Sequence, residues 1–213
     1  MADFAALKKK VDELAEREWD IPGIEARIRK MTKSGIPRKK LDPKEMKAKK
    51  VEILDRVQRR AEEYNFIFKN CAKGTAMALL EEFGLGNMEI IKALTPFPGV
   101  GGTGEICGGI TGSLITFGLY FGSDDPLDLS VMNDPKRNPI LISQKFMAFF
   151  EDAIGHWYCA DIIETVILGK RLNPGESDTA MMTFAGEKGF EKCGLPPGMG
   201  SRLAAEFIID SMK

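Results

Sequence analysis

Apolar residues recur at helical spacing along most of the chain, and convincing strand-like alternation is absent. Phe4, Leu7, Val11 and Leu14 mark a first helix over residues 2–17. Asp20-Ile21-Pro22 breaks that pattern, and Pro22 suits the first turn of a short second helix, Gly23 to Thr32. Ser34-Gly35-Ile36-Pro37 ends it. Asp42-Pro43 then supplies an N-cap followed by proline, a strong helix start. The stripe Met46, Val51, Leu54, Val57 and Ala61 carries that helix to about Phe68, with charged residues on its other faces. Asn70-Cys71 opens or continues a helix to Phe83, where Gly84 and Gly86 stop it. Asn87 to Leu94 is a further short helix, ended by Thr95-Pro96-Phe97-Pro98-Gly99.

Downstream the pattern changes character. A glycine-rich loop, Gly99 to Gly104, leads into a helix predicted over Glu105 to Phe121. Gly108 and Gly112 share one face of it, as Gly118 and Gly122 do further on, and small residues at that spacing let another backbone approach closely. Ser123 to Pro139 reads as a loop. Ser143 to Leu168 reads as one long helix, with Phe146, Phe149, Phe150, Ile154, Trp157, Ile162 and Val166 on its apolar face and Gly169 at its end. Residues 173–200 have little periodicity, and a last helix covers Ser201 to Met212. The fold class expected is all-α: a helical bundle around an apolar centre, with an N-terminal charged helical arm.

Charge draws the boundary between arm and body. The chain has 213 residues, 44% hydrophobic, with a formal net charge of −1. Residues 1–60 carry 18 Lys and Arg against 11 Asp and Glu, whereas residues 61–213 carry 12 against 20. The expected division is a basic helical arm over 1–60 and a helical domain carrying all four cysteines over 61–213. The arm is suited to attract acidic surface, within a subunit or between subunits, or simply to be a solvated helical face. Nucleic acid is not an expected partner, because the arm has few aromatics and its acids interrupt the basic run. The helix starting at Pro43 has more apolar stripe than the body can be expected to cover, which points to a homo-oligomer, a dimer first.

Residues 1–14 lack the apolar stretch of an export signal, and Ile106 to Phe121 is shorter than the roughly 20 residues of a membrane span. A cytoplasmic location is therefore expected, in which thiols stay reduced. That sets the reading of Cys71, Cys107, Cys159 and Cys193. They are separated by 36, 52 and 34 residues, so any shared site takes each from a separate element. Four thiolates are the usual ligands of an iron–sulfur cluster and also of structural zinc. Redox-active thiols and plainly buried cysteines are the other readings.

The residues around the cysteines sharpen this. Glycines let backbone N–H groups approach an anion, and a helix N-terminus adds partial positive charge. Gly101, Gly102, Gly104 and Gly108 are thus candidate cofactor-binding positions, against the plainer reading of a tight turn. Cys107, placed in a first helical turn, is favoured as a thiolate. His156 lies three residues before Cys159 and four after Asp152. It either tunes or protonates Cys159, replaces a cysteine as ligand, or is a partly buried histidine bonded to Asp152. Glu105 is first a carboxylate at a helix N-terminus, then a ligand or proton donor. Trp157, Tyr158 and the phenylalanines read as core before pocket. The glycine loop is neither a dinucleotide fingerprint nor a P-loop, and no Cys-x-x-Cys-His for covalent haem occurs.

Three segments stand in a telling order: Tyr64 to Ala72 with Asn70-Cys71-Ala72, Gly101 to Gly112 with Cys107-Gly108-Gly109-Ile110-Thr111-Gly112, and the later single Cys159 and Cys193. This arrangement resembles the C_GCAxxG_C_C family of redox-active proteins and the related iron–sulfur region of split-Soret cytochromes, over about residues 60–210. The resemblance implies an iron–sulfur cluster (2Fe–2S or 4Fe–4S) on the four cysteines, electron transfer or small-molecule reduction, and a redox partner protein. Two other readings stand beside it: a metal-free thiol–disulfide protein with Cys107 as attacking thiolate, and a non-catalytic helical assembly subunit docked through its arm. Gly109 replaces the family's alanine, a small-for-small change expected to leave packing intact. Residues 1–60 lie outside the resemblance.

Overall fold

The computed structural model describes residues 2–213. It is all-α: the described residues hold no strand, only one isolated antiparallel bridge between Ile106 and Tyr158. The helices are α1 (Phe4–Glu16), α2 (Ile21–Ser34), α3 (Pro43–Ala48), α4 (Lys50–Phe68), α5 (Cys71–Phe83), α6 (Met88–Ala93), α7 (Gly99–Gly102), α8 (Gly108–Phe121), α9 (Pro139–Ile154), α10 (Cys159–Ile162), α11 (Asp178–Gly186), α12 (Gly189–Lys192) and α13 (Leu195–Ser211). A 3-10 turn covers Ser130–Asn133, and a π-helical turn, Ile163–Ile167, continues α10. None of the described helices is long and apolar enough to cross a membrane.

Short polar side chains start the helices, two of them, at Asn138 and Ser177, where the periodicity put no start. Asp3, Asp20, Asp42, Asn70, Asn87, Asn138 and Ser177 each accept a hydrogen bond from an otherwise orphaned first-turn N–H. The frame of the molecule is α4, α5, α8 and α13, packed side by side. Alanines 72, 76 and 78 with Leu79 and Leu80 fill it from α5, and Phe117, Phe146 and Phe150 fill it from α8 and α9.

The close approach expected at Gly108 and Gly112 is present. A methyl group on Gly112 would lie 2.5 Å from the carbonyl oxygen of Ala72, and one on Gly108 would lie 2.2 Å from the Cys71 sulfur. Gly118 is different, with open space around it. Gly109 corrects an expectation: a methyl there would meet the Pro196 carbonyl oxygen at 2.7 Å, so α13 sits nearer to α8 than alanine allows.

The arm joins the same core through Leu7, Val11, Leu14, Ile24, Met31 and Ile36. Its cations pair with acids of the body: Arg17 with Glu62 at 2.5 Å, Arg56 with Glu82 at 2.7 Å, and Lys50 with Glu206 and Asp210 at 2.8 Å. The attraction read from the charge split thus acts within the subunit. Ile53, Leu54, Val57 and Ala61 of α4 are buried against α5 and α13. The stripe that suggested a second subunit is therefore covered by the chain itself, apart from exposed Val51.

Several boundaries differ from the periodicity: α9 starts at Pro139 and not at Ser143, α11 and α12 form where little periodicity is seen, and four further differences bear on the frame and the site. The helix from Pro43 is interrupted at Lys49 (φ −100°, ψ 16°). The predicted Glu105 helix begins only at Gly108, because residues 104–107 pair with 157–160. The long helix predicted over Ser143–Leu168 breaks at Gly155, whose φ of +97° takes the left-handed conformation. Finally, Leu195-Pro196-Pro197 is the first turn of α13, a place where proline has no N–H to lose.

Candidate functional site

Each cysteine stands at a helix boundary. Cys71 is the first residue of α5, set there by Lys69, which ends α4 at φ +50°, and by the Asn70 cap, whose Oδ1 accepts from the Lys73 N–H at 3.0 Å. Cys107 is the extended residue before α8. Cys159 opens α10 and Cys193 closes α12. Cys107 and Cys159 are drawn together by a short antiparallel clasp. Cys107 N–H donates to Trp157 O at 2.9 Å, Cys159 N–H to Glu105 O at 2.7 Å, and Ala160 N–H to Gly104 O at 2.9 Å. Buried Asn65 of α4 donates through Nδ2 to Phe190 O at 3.2 Å, which ties α12, and with it Cys193, to the frame.

These connections gather all four thiols, and none is in a disulfide. Cys71, Cys159 and Cys193 line one cavity of about 140 Å³, and Cys107 hydrogen-bonds Cys71. Lys69, Phe184 and Phe190 contribute to the wall of that cavity.

The thiols are electrostatically unequal. The Cys107 thiol donates to the Cys71 sulfur, and the N–H groups of Gly108, Cys71 and Ala72 donate to it as well; together they hold Cys71 below the usual thiol range against the effect of burial. Cys107 is raised by the same hydrogen bond, by burial and by the neighbouring sulfur charges. Burial, then the Cys71 charge, pushes Cys159 up to about 12. Cys193 is raised for the same two reasons, with Cys159 adding to them. Cys71 is thus the thiol held low, and the other three are held high.

The glycine loop serves the site in an unexpected way. Gly99, Gly101, Gly102 and Gly104 all have positive φ. Four N–H groups in and just after the loop turn onto neighbouring backbone carbonyls: Val100 to Phe97 O at 3.2 Å, Gly101 to Pro96 O at 2.6 Å, Gly102 to Pro98 O at 2.9 Å, and Glu105 to Gly99 O at 3.1 Å. What the glycines give is closeness. A methyl on Gly104 would lie 3.2 Å from the Ala160 Cβ, and one on Gly99 would lie 3.4 Å from the Cys159 Cβ. The N–H groups on sulfur come from Cys71, Ala72 and Gly108, of which Gly108 was a candidate and Ala72 was not.

Of the other candidates, Gly102 and Gly104 line the cavity, and Gly101 is exposed and does not. Glu105 is exposed, with its backbone carbonyl, and not its carboxylate, bound to the Cys159 segment. His156 lies in the turn after Gly155, with its ring 6.5 Å from that of Phe4, and shares no helix with Cys159. Asn65, Lys69, Phe184 and Phe190 were not singled out by the sequence. Their apolar or helical settings carry no signal until α12 is seen against α4.

Four soft sulfur donors, one already bonded by three amides, suit an iron–sulfur group in donor type. A closed four-sulfur zinc site needs each sulfur about 2.3 Å from one ion. Among the described residues no three His, Cys, Asp or Glu side chains are grouped so as to hold a metal ion.

No curated protein and no solved structure matches the chain. The family model described as "Putative redox-active protein (C_GCAxxG_C_C)" matches residues 69–195, which span all four cysteines, the glycine loop and the clasp between Gly104 and Ala160. With more than half of its length matched, the chain belongs to this redox-active family.

Proposed function

We propose that the chain is a redox protein whose four cysteines form one centre, and that Cys71, Cys107, Cys159 and Cys193 hold an iron–sulfur cluster. The observation that carries this is the gathering itself. Thiol–disulfide exchange needs two sulfurs, and Cys71 with Cys107 already supplies them. Bringing Cys159 and Cys193 from distant segments to the same cavity serves a centre that uses all four. A bound cluster supplies reversible one-electron transfer. The chain's part is to exclude water around Cys71 and Cys107, and to direct three N–H groups at the Cys71 sulfur. Electron transfer to or from a partner protein, or reduction of a small molecule, in a cytoplasmic setting, completes the reading. Neither His156 nor Glu105 is required by it.

Purification without oxygen tests this. Visible absorption, iron and acid-labile sulfide are expected, and all three should be lost when any one of the four cysteines is changed to serine. A colourless, iron-free protein with four titratable thiols would overturn it.

One observation favours a second reading. The hydrogen bond from the Cys107 thiol to the Cys71 thiolate is the pairing that dithiol–disulfide chemistry uses. Mild oxidation of metal-free protein would then consume two thiols, with Cys71 and Cys107 in the product.

A further inference from the structure

We propose that α1, which lies outside the residues matched by the family, is a built-in clamp that fixes the positions of Cys159 and Cys193. The proposal rests on the reading that the four cysteines act as one centre. Its test reports on positions alone.

Cys159 and Cys193 are the two partly exposed cysteines. Each is borne on a four-residue helix, too short to hold itself in place. α1 packs on both: on α12, and on the π-helical turn that continues α10. Leu14 is completely buried, and its two methyl groups lie against Gly194, next to Cys193. Glu16, at the end of α1, pairs with Lys188 at 2.8 Å, at the start of α12. At the other end of α1, Phe4 covers Gly155. A methyl group there would meet the Phe4 ring at 2.7 Å, and the Phe4 and His156 rings stand 6.5 Å apart. That turn feeds directly into Cys159.

A second route runs from the residues just after α1. The Arg17 guanidinium lies 5.1 Å from the Trp19 ring centre, and Trp19 stacks on Phe66 at 4.7 Å. The Lys69 ammonium then lies over both Phe66, at 4.0 Å, and Phe190, at 5.3 Å. Phe190 belongs to α12 and lines the cavity. The arm thus reaches the segment of Cys193 twice and that of Cys159 once, and α1 packs on neither α5 nor α8 through any substantial contact.

The two ends of α1 make separable predictions. On reduced, metal-free, full-length protein, iodoacetamide labelling resolved by residue should respond to Leu14→Ala at Cys193, by about tenfold, the factor that follows from 1.4 kcal/mol of easier local opening. Phe4→Ala removes a half-exposed ring and should raise labelling of Cys159 several-fold. Cys71 and Cys107 should keep their native rates in both, and Leu14→Met should restore Cys193. Unchanged rates at Cys159 and Cys193 would overturn the clamp, as would a common rise at all four cysteines. If the labelling pattern holds in a protein that never binds iron, the clamp stands and the cluster reading falls.

Discussion

Cys71 and Cys107 differ from Cys159 and Cys193 in what holds them. The inner pair is buried at the starts of α5 and α8, two long frame helices in contact through Gly108 and Gly112. The outer pair is partly exposed and sits on α10 and α12, which depend on distant partners for their place. The consequence is a division of labour. The frame favours charge on Cys71, because the Cys107 thiol and the three N–H groups that lower it all stand where α5 packs on α8. The loops fix whether the four sulfurs stay together.

The inner pair is broken most severely through its glycines. Gly112→Ala places a methyl 2.5 Å from the Ala72 carbonyl oxygen and 2.9 Å from the Thr75 Cβ, with backbone as the obstacle. It should cost about 1–3 kcal/mol, and more if α5 and α8 separate. A fall in Tm of roughly 2–4 °C per kcal/mol is the readout. Gly118→Ala, on the same helix but with nothing within 4 Å, should go the other way by up to about 1 kcal/mol, because alanine favours helix. Equal effects at the two positions would show that the close approach is not what the small residue at 112 is for.

Next in size is Cys107→Ala in metal-free protein. It removes the hydrogen bond that contributes most to lowering Cys71, while the Gly108, Cys71 and Ala72 N–H groups remain. Cys71 should move up toward the ordinary thiol range, and its alkylation near neutral pH should fall several-fold. Cys159 and Cys193 should move down, since less charge then faces them. No change at Cys71 would mean that the amides alone hold its charge.

The inner half of the site was the more legible in the sequence, and the reason is physical. Asn70-Cys71 and the small face at Gly108 and Gly112 are local signals, and the fold honours them. The outer half is set by contacts that local pattern does not carry. Ile154, Trp157, Ile162 and Val166 keep helical spacing across Gly155, and one glycine inside a helix costs only about 1 kcal/mol. The chain breaks there because residues 157–160 pair with 104–107, 50 to 56 positions away. The same pairing moved the start of α8 to Gly108. Residues 178–192 show the converse, since α11 and α12 exist by packing and have little periodicity of their own. The all-α class needed only the repeated helical stripes. The place of His156 outside the cavity needed the break at Gly155.

Cys71 also differs from the other three cysteines with pH, in the opposite direction. Cys71 is lowered in the fold, so its contribution to stability is complete above the unfolded thiol range and is lost as pH falls through its folded value. Cys159 is raised to about 12, and a thiol in the unfolded chain ionises near 8.5. Its contribution is therefore complete below about 8.5 and is lost progressively from there toward about 12. Cys107 and Cys193, both raised, act in the same sense. Metal-free reduced protein should lose stability to urea as pH rises above about 8.5, and Cys159→Ser should flatten that slope. An unchanged slope in the serine variant would remove Cys159 from the account.

The smallest effect concerns the ring ladder between the arm and α12. The Trp19 indole N–H is buried without a hydrogen-bond partner, while its ring face stacks on Phe66 with planes only 8° apart. The stack and the polar atom can therefore be separated. Trp19→Phe keeps an aromatic face for Phe66 and removes the unsatisfied donor, whose burial costs about 1–3 kcal/mol. Part of that gain is returned as lost ring area, so the variant should match the native protein or exceed it by up to about 1 kcal/mol. Cys193 labelling should stay at its native rate. Trp19→Ala removes the face itself and should raise Cys193 labelling while leaving Cys71 unaffected. If Trp19→Phe already frees Cys193, the outer pair depends on the indole in a way that stacking does not explain. If neither variant does, the arm reaches Cys193 through Leu14 and Glu16 alone.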